Sequence, residues 1–121
     1  MSNIQLKKFD MSSIKPDKVI VLIGKRETGK SFLCKDLLYY HKNIPVGNVI
    51  SATESANCFY GNIIPSIFIH DEYTPETIDN FLKRQKRVKK QMKEDLEKNG
   101  HTLINPNAFL ILDDCLYDAS W

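Results

Sequence analysis

An α/β fold with a mostly parallel sheet flanked by helices follows from three features of the sequence. Apolar β-branched runs alternate with segments of helical period, a glycine-bearing stretch joins the first run to the first helix, and the last run ends on two aspartates. The length of 121 residues is that of one domain with a single hydrophobic core. Hydrophobic residues make up 42% and charged residues 26%, the composition of a globular chain rather than a disordered one.

Lys18 to Ile23 reads Lys-Val-Ile-Val-Leu-Ile and ends at Gly24, as a strand buried on both faces of a parallel sheet does, and is expected to be the central strand. From Lys30 the period changes: Phe32, Leu33, Leu37 and Leu38 recur at helical spacing to about His41, where Pro45 and Gly47 stop the pattern. Asn48 to Ala52 and Ser66 to His70 are the next strand candidates. Thr74 then offers an N-cap and Pro75 a first helical residue. A long helix over about 75–98 follows, with Ile78, Phe81, Leu82, Val88, Met92 and Leu96 as a narrow apolar stripe and Asn99-Gly100 as its stop. Ala108 to Leu112 is the last buried strand and runs into Asp113-Asp114.

The residues between the first strand and helix carry the chemistry. Gly24-Lys25-Arg26-Glu27-Thr28-Gly29-Lys30-Ser31 satisfies GxxxxGK[ST], the Walker A or P-loop pattern. Gly24 and Gly29 permit backbone conformations that let successive N–H groups face phosphate oxygens. Lys30 brings positive charge to the β and γ phosphates, Ser31 brings a hydroxyl to Mg²⁺, and the helix presents its positive end. The implied ligand is ATP with Mg²⁺. Lys25, Arg26 and Glu27 fill variable positions of the motif.

Phe109 to Asp114 is the expected complement, a Walker B strand over 109–114 that delivers carboxylates to the C-terminal edge of the sheet. Asp113 is assigned to Mg²⁺ and Asp114 to orienting or activating the attacking water, so Lys30 and Asp114 are the candidate catalytic residues.

Other reactive types are bland. Cys34, Cys58 and Cys115 form no CxxC pair and read as reduced, packed thiols, and His41, His70 and His101 are scattered. Net charge is only +2, yet Lys83, Arg84, Lys86, Arg87, Lys89, Lys90 and Lys93 fall in one stretch without an acid. That stretch has two readings, a solvated helix face or a track for nucleic-acid phosphates, in which some of the seven flank the apolar seam of Val88 and Met92 from both sides and Lys86, Arg87, Lys89 and Lys90 are the candidate contacts. No apolar run approaches a bilayer span, and Met1 to Asp10 lacks the apolar core of a signal peptide, so a cytoplasmic location without membrane contact is expected.

Taken together, the P-loop, the paired aspartates and the basic helix resemble the DNA-packaging ATPases of nucleocytoplasmic large DNA viruses, the poxvirus type included, within the FtsK/HerA group of P-loop NTPases. The matching residues are Lys8-Phe9-Asp10-Met11, Gly24-Lys25-Arg26, Thr28-Gly29-Lys30-Ser31, Leu112-Asp113-Asp114-Cys115, Tyr117-Asp118 and Trp121. The resemblance implies a RecA-like ATPase that assembles as a homo-oligomeric ring and drives double-stranded DNA into a capsid. Such proteins continue with further strands, a polar sensor and an arginine-bearing segment. Here only seven residues follow Asp114, so the sequence reads as the N-terminal part of a single P-loop ATPase domain, truncated after the Walker B strand. The alternatives are a non-catalytic nucleotide-binding remnant that associates with a full-length ATPase, and a small P-loop kinase.

Overall fold

Six paired positions hold the larger part of the structure together. In the computed structural model, β1 (Val46–Ser51) and β3 (Ala108–Asp113) run parallel, in a register that sets Val46 beside Ala108 and Ser51 beside Asp113. The two-residue β2 (Ile69–His70) adds to the other edge of β1, also parallel, giving the order β2-β1-β3. The structure describes residues 3–25 and 27–115. Arg26 of the P-loop motif, and Tyr117, Asp118 and Trp121 of the resemblance, lie outside them. The chain divides into two compact units, Met1–Asn43 and Ile44–Trp121.

In the C-terminal unit, parallel strands require crossovers, and the sequence supplies them. Between β1 and β2 come the short helix α2 (Glu54–Asn57) and two 3₁₀ turns, Tyr60–Asn62 and Ser66–Phe68. The expected strand over 66–70 is thus mostly turn. Pro65 leads in, Phe68 N–H closes back on its carbonyl, and only Ile69 and His70 remain extended enough to pair.

Between β2 and β3 runs the long helix α3 (Pro75–Asn99). Its limits are those that local chemistry dictates: Thr74 accepts a hydrogen bond from Thr77 N–H, Pro75 occupies the first turn, and Gly100 stops it at φ 74°. The chain returns extended along the helix, where Thr102 donates to Asp95 at 3.1 Å and Gln85 donates to the Pro106 carbonyl at 2.9 Å.

The buried side chains cluster at the C-terminal end of β1. Val49, Ile50, Ser51, Glu54, Tyr60, Ile64 and Cys115 are the buried set among the described residues, together with Gly47. Gly47 is required by its neighbour: a Cβ there would overlap the ring of Phe109, its partner across the β1–β3 ladder.

In the N-terminal unit, α1 here denotes the helix Lys30–Tyr40, as the sequence predicts, capped at its end by His41 N–H to Leu37 and Leu38 carbonyls. The Asp10 side chain caps the 3₁₀ turn Met11–Ser13, accepting from Ser12 N–H and hydroxyl, and these bonds hold its carboxyl below the usual pKa. His41 Nε2 lies 2.8 Å from the Met11 carbonyl, tying that turn to the end of α1.

The expected central strand at Lys18 to Ile23 is corrected. The segment carries no sheet pairing among the described residues, and Val19, Val21 and Ile23 are 90%, 72% and 94% exposed. β-branched composition fits a pleated surface, but ladder partners make the strand, and no described strand runs beside this one.

The Gly47 contact yields a stability prediction. Gly47→Ala should destabilise the chain by about 1–3 kcal/mol, as overpacking against an aromatic ring does. Urea midpoints would report it, and Phe109→Leu combined with Gly47→Ala should recover part of the loss.

Candidate nucleotide site and basic helix

The loop from Gly24 to Ser31 is organised around the Lys30 ammonium. Its Nζ donates to the carbonyls of Gly24 and Lys25, both at 2.7 Å, with Thr28 Oγ1 at 3.4 Å. Thr28 in turn donates to the Lys25 carbonyl at 2.6 Å. The loop is therefore gathered onto the cation. A Cβ on Gly24 would sit 2.8 Å from Thr28 Oγ1, so a larger residue there would displace that hydroxyl from its place in the loop. Among the described residues of the loop, Glu27 and Gly29 take left-handed backbone, at φ 60° and φ 88°. Gly29 does so freely, whereas a left-handed Glu27 costs on the order of 1 kcal/mol, and such strain concentrates at functional loops.

Gly29 is the N-cap of α1 without a side-chain cap, and Lys30 and Ser31 open the helix at its positive end. A depression of about 520 Å³ lies over this loop, lined by Val21, Leu22, Ile23, Gly24, Thr28, Gly29, Lys30 and Leu33. Lys25, Glu27 and Thr28 are exposed, as their variable positions in the motif suggest.

The second acid-bearing site belongs to the C-terminal unit. Parallel pairing puts the ends of β1, β2 and β3 at one edge, with Ser51 beside Asp113. Asp113 is half-buried and its Oδ2 accepts a 2.7 Å hydrogen bond from the Tyr60 hydroxyl. Tyr60 is itself held through its backbone: Glu54 accepts from Tyr60 N–H at 2.9 Å and from Gly61 N–H at 2.7 Å, one bond to each carboxylate oxygen. Asp114 differs from its neighbour. It is exposed, and its φ of 56° turns the chain sharply at the strand end. Aspartate tolerates that conformation better than most residues. The turn brings buried Cys115 under β1, with Sγ 3.4 Å from the Ile50 carbonyl, so this thiol serves packing.

Neither Tyr60 nor Glu54 stands out in the sequence. The available signal is an acid three residues beyond a strand end, at the edge where such folds place ligands. Among the described residues, no group of three or more His, Cys, Asp or Glu side chains could hold a metal ion. Each unit offers a hard oxygen of its own, the Ser31 hydroxyl in the N-terminal unit and the Asp113 carboxylate in the C-terminal one. Mg²⁺ commonly takes one or two carboxylates and completes its shell with phosphate and water oxygens, and that chemistry fits them.

On α3 four of the basic residues group together. At about 100° per residue, Lys86, Arg87, Lys89 and Lys90 span one continuous arc of about 160°, turned away from half-buried Phe81, Val88 and Met92. With Arg84, which borders Val88 on the side opposite Lys89, the basic residues bracket the seam of Val88 and Met92; of Lys86, Arg87, Lys89 and Lys90, only Lys89 borders it. All four are exposed, and among the described residues none has a carboxylate within salt-bridge distance. Lys83 does: Asp79 lies 2.7 Å away one turn earlier, and that hydrogen bond and charge raise the lysine pKa. Among the described residues, no helix is long and apolar enough to cross a membrane.

Comparison with known proteins finds relatives in viruses. The chain is 45% identical over 123 residues to the uncharacterized protein 075L of Invertebrate iridescent virus 6, an alignment covering 93% of this chain and 44% of that protein. It is 36% identical over 115 residues to the uncharacterized protein L437 of Acanthamoeba polyphaga mimivirus, covering 95% and 40%. It is 32% identical over 130 residues to the uncharacterized protein 015R of Frog virus 3, covering 98% and 38%. The chain thus spans about two fifths of the length of these relatives. No protein-family profile and no solved structure matches it.

Proposed function

We propose that this chain is the nucleotide-binding part of a viral ATPase that moves double-stranded DNA. The observation that carries the reading is the Gly24 to Ser31 loop. It joins the full GxxxxGK[ST] pattern to a left-handed Gly29, an α-helix opening at Lys30 and Ser31, and a lysine ammonium seated within the loop. A triphosphate presents anionic oxygens to that ammonium and to the N–H groups of the first helical turn, and charge-assisted bonds of this kind are stronger than the neutral ones that now hold Lys30.

In this reading Ser31 would offer its hydroxyl, and Asp113 its carboxylate, to Mg²⁺, which would neutralise phosphate charge. Asp114, exposed beside Asp113, is the carboxylate that orients the attacking water. The exposed arc of Lys86, Arg87, Lys89 and Lys90 is the surface offered to DNA phosphates. Viral relatives agree with the source that the sequence resemblance suggests. Ring assembly on DNA belongs to the same proposal.

Removing the ammonium should weaken ATP binding by about 10- to 100-fold, the worth of one or two charged hydrogen bonds. Calorimetric titration of parent and Lys30→Ala with Mg-ATP measures this, and equal affinities would overturn the P-loop assignment.

Binding to duplex DNA should fall with salt at about −0.9 in log–log slope per phosphate neutralised. Changing Lys86, Arg87, Lys89 and Lys90 to Gln should flatten that slope. An unchanged slope would leave these charges as a solvated face.

A further inference from the structure

We infer that Tyr60, braced by Glu54, is a positioning residue for Asp113, fixing its carboxylate for a divalent cation. The inference rests on the nucleotide reading of Asp113 given above.

The argument starts from burial. Tyr60 is 1% exposed, and a buried phenol needs a hydrogen-bond partner. Its partner is the acid at the end of β3, 53 residues away in sequence, at 2.7 Å. A carboxylate at a strand end otherwise rotates about two side-chain torsions. A bond donated by a rigid, buried ring removes much of that freedom, as the outer partners of metal-binding carboxylates do.

The ring is rigid because its backbone is held too. Glu54, 8% exposed, uses both carboxylate oxygens on the N–H groups of Tyr60 and Gly61. A side chain on Gly61 would press within 3.2 Å of Glu54 Oε1, so a small residue there keeps the brace close. The path Glu54, Tyr60, Asp113 therefore links the loop after β1 to the end of β3 through polar bonds, in the most buried part of this unit. Packing alone would be served by an apolar side chain in place of each of the three.

The test is the affinity of the full chain for ATP, measured with Mg²⁺ and with EDTA, in parent, Tyr60→Phe, Asp113→Ala and the double variant. Tyr60→Phe should lose about tenfold of the affinity that Mg²⁺ supports, the low end of the cost of losing such a partner, with the EDTA value unchanged. Added to Asp113→Ala it should change nothing further. Parental Mg²⁺ dependence in Tyr60→Phe, or equal weakening with and without the metal, would overturn the inference while the nucleotide reading stands. A parent without ATP affinity, or one indifferent to Lys30→Ala, would overturn both. If Tyr60→Phe does not fold, Glu54→Gln is the second variant. It should show a smaller loss of the same metal-specific kind, and unaltered Mg²⁺ dependence would overturn the inference.

Discussion

The parallel pairing of β1 with β3 is the constraint on which the C-terminal unit depends. Its register sets Ser51 beside Asp113, and everything at that edge follows from it. Because side chains alternate between faces with period two, a slip of one residue would carry Asp113 to the opposite face and break its bond from Tyr60. Cys115 would lose its place under Ile50 in the same move. Gly47 keeps the ladder close at its other end by yielding space to the Phe109 ring. The fold and the candidate acid site are therefore one object in this unit, since the buried side chains gather around the end of the strand that holds the acid.

The Gly24 to Ser31 loop is built on another principle. Its bonds are local, from Lys30 and Thr28 to carbonyls and a hydroxyl within six residues, so its shape depends on its own sequence. Such a loop is adaptable: a lysine held by neutral acceptors exchanges them for phosphate at little net cost in hydrogen bonds and with a gain in charge pairing. Asp113 has the opposite character, held by a distant ring whose own backbone is pinned by Glu54.

Much of this was legible in the sequence where the signals are short-range. Thr74, Pro75 and Gly100 mark α3 to within a residue or two, and the Lys30 start of α1 and the apolar runs of β1 and β3 stand where expected. The residues of the GxxxxGK[ST] pattern and the Asp113-Asp114 pair can be named from spacing alone, although spacing does not show what binds there. Lys18 to Ile23 misleads because pairing, which makes a strand, is a property of neighbours and not of the segment. Tyr60 and Glu54 were invisible for a related reason: the contact from Tyr60 to Asp113 spans 53 residues and no local pattern encodes it. The basic arc on α3, by contrast, follows from helical periodicity applied residue by residue.

The central claim is that the loop from Gly24 to Ser31 receives the phosphates of a nucleotide. Backbone amide resonances followed by NMR during titration with Mg-ATP address it most directly, because they locate binding without relying on a variant. The largest shifts should fall on Gly24, Gly29, Lys30 and Ser31. Shifts absent from that loop, or concentrated on the basic arc of α3 where a polyanion would bind without a P-loop, would contradict it.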